Sequence, residues 1–172
     1  VKMVSPVLSF TAEEIWAAMP AIARDADSVH LSSWYVENPE FINAELDSKW
    51  DKIIKLRKEV NKVLEKARQG ENRIIGNSLD AEVSLFIGND EYKSLLADKE
   101  LLETIFIISK LNIVETKDDS FTESEELKDI SIKVAHATGE KCERCWKYSE
   151  ELGTHEEHST ICPRCTGVLV NN

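Results

Sequence analysis

Between residues 48 and 69 the apolar positions recur at intervals of three and four. Ile53, Leu56, Val60, Val63, Leu64 and Ala67 fall on one face at 100° per residue, and Lys52, Lys55, Lys58, Lys62 and Lys66 gather on the other. The pattern predicts an amphipathic helix, opened by Ser48 ahead of Asp51 and closed by Gly70. A shorter helix is expected over "TAEEIWAAMP", with Thr11 as N-cap, Glu14 completing a reciprocal capping pair and Pro20 ending it. The intervening "SVHLSSWYVENPEF" carries Asn38 and Pro39 and has no sustained period, so it reads as an extended connector.

Downstream the period changes to two. "AEVSLFI" places Ala81, Val83, Leu85 and Ile87 on one side, as a half-buried strand requires. "GND" then turns into a helical pair, "DEYKSLLA" and "DKELLETIFII", with Asn89 and Asp98 as caps. "LNIVE" and "ISIKVAH" read as two more strands flanking the acidic run from Glu115 to Asp129, which is expected to be a solvated loop. His136, alone on its strand, is read as structural or solvent-facing. The organisation expected is α+β: a helical bundle segment over 1–70, a small mixed α/β unit over 71–137 and a C-terminal four-cysteine zinc ribbon over 138–172.

Composition and charge change this picture in two places. The chain has 172 residues, 42% hydrophobic and 31% charged, enough for one ordinary core or two small ones. No run approaches the roughly 20 apolar residues of a membrane helix, and the N-terminus lacks the order of a signal peptide, so a cytoplasmic location is expected. Residue 1 is Val, and "VKMVSPVL" reads like the middle of a buried helix, as in a piece of a longer protein.

The net charge of -11 argues against a nucleic-acid partner on average. From Lys49 to Arg73, however, nine Lys or Arg face four acids, a local balance of +5. The lysine stripe has two readings: the solvated face of any surface helix, or a phosphate-binding surface, favoured by its single sign in an acidic chain.

The four cysteines stand apart from everything before them. Cys142, Cys145, Cys162 and Cys165 form C-x2-C, sixteen intervening residues and a second C-x2-C. Two residues between cysteines let a tight turn aim both sulfurs at one point, and the longer gap brings the second pair back to complete a tetrahedron. This is the form of a closed four-thiolate zinc site, which leaves no open position for Lewis-acid chemistry. A redox centre would use a single pair in a βαβ setting, and two disulfides would need an oxidising compartment. His155 and His158 lie between the pairs and are read as loop residues. Metal binding would supply much of the folding stability of so small a segment.

A closed site holds a shape, so function rests on what the shape presents. Arg144 lies within the first knuckle and Trp146 directly after it. The pair suits an unstacked base and its phosphate, or else Trp146 packs on the module's own strands.

The stretches "FTAEEIW", "LRKEVNKVLEKAR", "IGNSLDAEV" and "KCERCWKYSEELG…CPRC" occur here in the order found at the C-terminal end of bacterial isoleucyl-tRNA synthetases, and nearly the whole chain resembles that family. The resemblance implies the end of an anticodon-binding helical domain, a junction and a terminal zinc module. It implies one structural Zn2+ on Cys142, Cys145, Cys162 and Cys165, anticodon-loop contacts at Arg144 and Trp146, and a tRNA-facing surface along Lys55, Lys58, Lys62, Lys66 and Arg68. The partners implied are the anticodon arm of tRNA(Ile) and the remaining domains of an ATP-dependent ligase of protein biosynthesis, acting as a monomer. The family's HIGH- and KMSKS-type signatures are absent from these 172 residues, so a noncatalytic segment is expected. The chain departs from the family in ending "TGVLVNN", without further basic residues. Other readings are a zinc-ribbon adaptor for another protein, or the zinc finger of a formamidopyrimidine-type DNA glycosylase, which would need an N-terminal proline nucleophile where Val1 stands.

Overall fold

The computed structural model describes residues 1–71 and 73–170; the final Asn171 and Asn172 lie outside the described residues. Among the described residues it is a mixed α/β chain with five α-helices and two small sheets, in two compact units, 1–44 and 45–172.

In the first unit, helix α1 (Ser9–Ala18) packs Ala12 and Trp16, four residues apart on one face, against Val29. The Trp16 indole N–H donates to the Ala26 carbonyl at 2.9 Å, and the Glu13 carboxylate accepts from the Ser28 hydroxyl (2.9 Å) and the Val29 N–H (3.1 Å). These bonds fold the 24–31 stretch back onto the helix. The expected Thr11–Glu14 cap is not formed. The helix starts three residues earlier with Leu8 at the N-cap, because a 3₁₀ turn at Lys2–Val4 runs into it through the Leu8 N–H to Val4 carbonyl bond of 2.8 Å. "VKMVSPVL" is therefore a turn, with Met3, Val7 and Leu8 exposed, rather than a buried helix.

Helix α2 (Ala44–Arg68) is longer than the pattern predicts and begins four residues before Ser48, with Glu45 and Asp47 in its first turn, where acids complement the helix dipole. It ends as expected: Gly70 takes φ +84°, and the Ile74 N–H returns to the Ala67 carbonyl at 2.8 Å. Ile53, Leu56, Val60, Val63, Leu64 and Ala67 are all buried.

The apolar face of α2 shares one core with a four-stranded sheet: β1 (Ala81–Ile87), β2 (Lys110–Val114), β3 (Thr122–Glu123) and β4 (Ile130–His136), in the order β2-β1-β4-β3. β1 and β2 are parallel, joined through α3 (Asp90–Lys93), a 3₁₀ turn and α4 (Lys99–Phe106); β1 and β4 are antiparallel. The register pairs Val83 with Val134, Leu85 with Ile132 and Ile87 with Ile130, so the alternation read from "AEVSLFI" becomes one apolar sheet face. Asn89 and Asp98 cap α3 and α4 through the N–H groups of Glu91 and Leu101. The core assigns α2 to the sheet, whereas the sequence pattern places a region boundary near residue 70. A helix is claimed by whatever covers its apolar stripe, which periodicity alone does not specify.

The cysteine module follows β4 in the same unit. A hairpin of β5 (Glu140–Lys141) and β6 (Tyr148–Ser149) leads through turns to α5 (Pro163–Val170). Gly139, just before β5, takes φ +91°, where a Cβ would lie 2.3 Å from the Ser149 carbonyl oxygen, so only glycine fits.

Candidate metal centre and nucleic-acid interface

The two C-x2-C pairs occupy different local structures. Cys142 and Cys145 sit on the tight turn between β5 and β6, closed by the Trp146 N–H to Cys142 carbonyl bond and the Cys142 N–H to Lys147 carbonyl bond, both 2.9 Å. Cys162 and Cys165 flank Pro163 at the start of α5, where the Thr166 N–H bonds the Cys162 carbonyl at 3.0 Å. Proline at the first helical position lacks the N–H that would go unpaired there. The second pair thus rides on a helix start rather than on a returning strand.

This architecture brings all four Sγ atoms within 4.8 Å of one another, with Cys145 and Cys162 at 3.7 Å. A tetrahedral ion with metal–sulfur bonds of about 2.3 Å requires sulfurs about 3.8 Å apart. Cys142, Cys162 and Cys165 are buried, and Leu152 and Ile161 pack beside them.

Backbone donors favour thiolate at Cys142. Burial pushes the Cys142 thiol up, but the backbone N–H groups of Cys145, Cys162 and Arg144 outweigh it and bring it down to about 6. One of these, the Cys162 N–H, lies 3.3 Å from Cys142 Sγ. Burial raises the Cys145 and Cys162 thiols, and hydrogen bonds among the clustered sulfurs, Cys165 included, add to it. A divalent ion supplies charge compensation for clustered thiolates, and the soft, closed donor set fits a structural metal ion.

The module is fastened to the sheet by side chains that no sequence motif marks. Ser109, just before β2, donates its hydroxyl to the Leu79 carbonyl and accepts the Tyr148 N–H at 2.7 Å. Asp80 accepts the N–H groups of Gly76 (3.1 Å) and Asn77 (2.8 Å), its carbonyl takes the Ala137 N–H (2.8 Å), and its other carboxylate oxygen lies 3.7 Å from Lys141 Nζ. His136 stacks edge-on to Tyr148 with centroids 4.9 Å apart and is not among the clustered ligands.

Arg144 and Trp146 are brought together on the outside of the first knuckle. Trp146 is 60% exposed, so most of the residue faces solvent, and its backbone takes φ +65°, uncommon for a bulky residue. Arg144 is exposed and has no ion-pair partner among the described residues.

The α2 cations behave differently, because part of the otherwise exposed acidic run, residues 124–126, is tied to the helix. Lys58 Nζ lies 2.7 Å from Glu126, Lys62 Nζ lies 3.0 Å from Glu126 and 3.3 Å from Glu125, and Lys66 Nζ lies 3.7 Å from Glu125. Arg68 pairs with Glu65 at 2.9 Å, while Lys55 has no ion-pair partner among the described residues. The carboxylates are delivered by Glu59, only 2% exposed, which accepts the Ser124 hydroxyl and the N–H groups of Glu125 (2.8 Å) and Glu126 (3.3 Å) and lies 2.7 Å from Lys62 Nζ. Burial pushes the Glu59 carboxyl up, yet the Lys62, Ser124 and backbone donors together hold it at about 2. Sequence reading passed over Glu59; the available signal was an acid three residues after Leu56 and four before Val63, on the buried face.

Comparison with known proteins agrees with both halves of the chain. Residues 1–85 match the family described as the anticodon-binding domain of tRNA ligase, and residues 139–166 match the zinc finger found in FPG and IleRS. The isoleucine–tRNA ligase of Desulforamulus reducens is 43% identical over 171 residues, covering 98% of this chain. Those of Syntrophotalea carbinolica and Kosmotoga olearia are 40% and 38% identical, covering 99% and 98% of it. The chain spans about 18% of the length of each of these relatives. No helix among the described residues is long and apolar enough to cross a membrane. With nearly every residue aligned and the cysteine module matched separately, the chain belongs to the isoleucine–tRNA ligase family, as a segment joining its anticodon-binding and zinc-finger regions.

Proposed function

We propose that this segment recognises the anticodon arm of tRNA(Ile) and that its metal is a single structural Zn2+ held by Cys142, Cys145, Cys162 and Cys165. When bound, the ion supplies cross-linking and charge compensation, with no position open for substrate. The chain's own residues do the recognising: Trp146 offers a π-face to an unstacked anticodon base, and Arg144 pairs with an adjacent phosphate or base edge. Aminoacylation with ATP belongs to the remainder of a monomeric, cytoplasmic ligase. Residues 1–70 act as the end of the helical anticodon-binding domain, 71–137 as the junction and 138–172 as the zinc module.

The observation that carries this reading is the exposed Trp146 ring, turned outward by a left-handed backbone beside the unpaired Arg144. Lys55 is available as an auxiliary phosphate contact. Lys58, Lys62, Lys66 and Arg68, expected to face tRNA, are engaged by carboxylates and enter only in the opened form argued below. The test is a salt titration with a tRNA(Ile) anticodon stem-loop and one bearing another anticodon. Trp146→Ala is expected to weaken the cognate complex by about 1–3 kcal/mol, the worth of one base–aromatic stack. Equal retention of both stem-loops, unaffected by Trp146→Ala and Arg144→Ala, would contradict the proposal.

A further inference from the structure

The basic face of α2 is closed by the chain itself. Surface ion pairs such as Lys58–Glu126 contribute little each, and a freely moving acidic loop would yield readily to a polyanion. Here the acids do not move freely. Glu59, rooted in the core of α2, binds the backbone of Glu125 and Glu126 and the hydroxyl of Ser124, and that hydroxyl in turn accepts the Leu127 N–H at 2.9 Å. The segment is folded around a buried carboxylate like a capped helix end, which leaves the Glu125 and Glu126 side chains on Lys58, Lys62 and Lys66. A lysine held on a fixed carboxylate must give up that pair before it can neutralise a phosphate and release the RNA's counterions, so RNA gains little by binding it.

We infer that residues 124–126 are an intramolecular competitor that holds the lysine face of α2 shut against RNA phosphates. The device suppresses indiscriminate RNA binding and leaves recognition to surfaces elsewhere, which is specificity by blocking an alternative site. It does not depend on the anticodon reading, because it concerns RNA of any sequence.

The experiment uses the metal-loaded chain and a 20-nucleotide oligouridylate, titrated between about 50 and 200 mM salt, the range over which phosphate contacts register strongly. Glu125→Gln/Glu126→Gln uncovers Lys58 and Lys66 and leaves Lys62 on Glu59. At about 0.7 per phosphate contact on a single strand, two freed lysines are expected to steepen the log–log salt slope by about 1.4, with affinity at low salt rising about tenfold or more. Adding Lys58→Ala, Lys62→Ala and Lys66→Ala removes the gain. Glu37→Gln/Glu40→Gln makes the same charge change at exposed acids of the first unit and leaves affinity near wild type. Glu125→Gln alone gives a smaller gain and serves if the double variant melts early by circular dichroism. An unchanged slope in the folded variants, a gain that survives lysine removal, or an equal gain in the control pair would overturn the inference. Failure of the anticodon reading would show separately, as indifference of the cognate stem-loop to Trp146→Ala.

Discussion

The Cys162 backbone N–H points at Cys142 Sγ from 3.3 Å, so the second knuckle donates to a sulfur of the first before any ion is considered. A hydrogen bond across the two halves means that the helix start and the hairpin turn are arranged as one site. Cys165→Ser leaves three sulfurs and is expected to lower zinc affinity at least about 100-fold and to melt β5, β6 and α5 together; structural zinc contributes about 10–16 kcal/mol in isolated fingers. Competition with a chromophoric chelator, followed by circular dichroism, checks both effects.

Trp146 separates recognition from stability. Its ring is exposed and its φ is +65°, a conformation that disfavours side chains and suits glycine. Trp146→Gly is expected to leave the thermal midpoint unchanged or to raise stability by up to about 1 kcal/mol, while anticodon stem-loop binding is lost. A variant that unfolds instead would show that the indole packs, and calorimetry beside a binding titration distinguishes the two.

Glu59 makes the 124–126 turn acid-sensitive. Its carboxyl is held at about 2 in the fold against an ordinary 4.5, so its stabilisation is complete above about pH 4.5 and is lost as pH falls from there towards 2. Glu59→Gln is expected to cost about 2 kcal/mol at neutral pH, the scale of hydrogen bonds to a charged group, and to flatten the acid limb of stability against pH. Urea denaturation across pH 2–7 reads both. An acid limb as steep as wild type in the variant would place the sensitive group elsewhere.

Much of this arrangement is legible in the sequence because it is local. The three-and-four spacing from Ile53 to Ala67, the alternation from Ala81 to Ile87, the caps at Asn89 and Asp98 and the paired cysteines each depend on residues a few positions apart, and all appear in the structure. What was hidden depends on partners far along the chain. Glu59 meets Ser124 across 65 residues, and Ser109 meets Tyr148 across 39; neither contact has a period or motif. The counter-ions of the lysine stripe are hidden for the same reason, since Lys58 and Lys62 meet carboxylates more than sixty residues away. Thr11 and Ser48 match the capping pattern, yet both lie inside helices, because the preceding residues had their own reasons to be helical.

Ser109 tests how the module is docked. Ser109→Ala deprives the Tyr148 N–H of its acceptor and is expected to cost about 1–3 kcal/mol if that group stays buried. Amide exchange at Tyr148 should accelerate while the cysteine turn keeps its protection. Uniform loss of protection across the module would mean that hairpin and sheet unfold as one body.

The central claim is that a metal ion on four cysteines holds Arg144 and Trp146 in the posture that binds RNA. The most direct measurement is anticodon stem-loop affinity on one sample as prepared, after complete removal of metal, and after zinc is restored, with metal content assayed at each stage. The account predicts one zinc per chain, at least tenfold weaker binding without it and recovery on its return. Equal affinity in the metal-free chain, with the hairpin and α5 still folded, would contradict it.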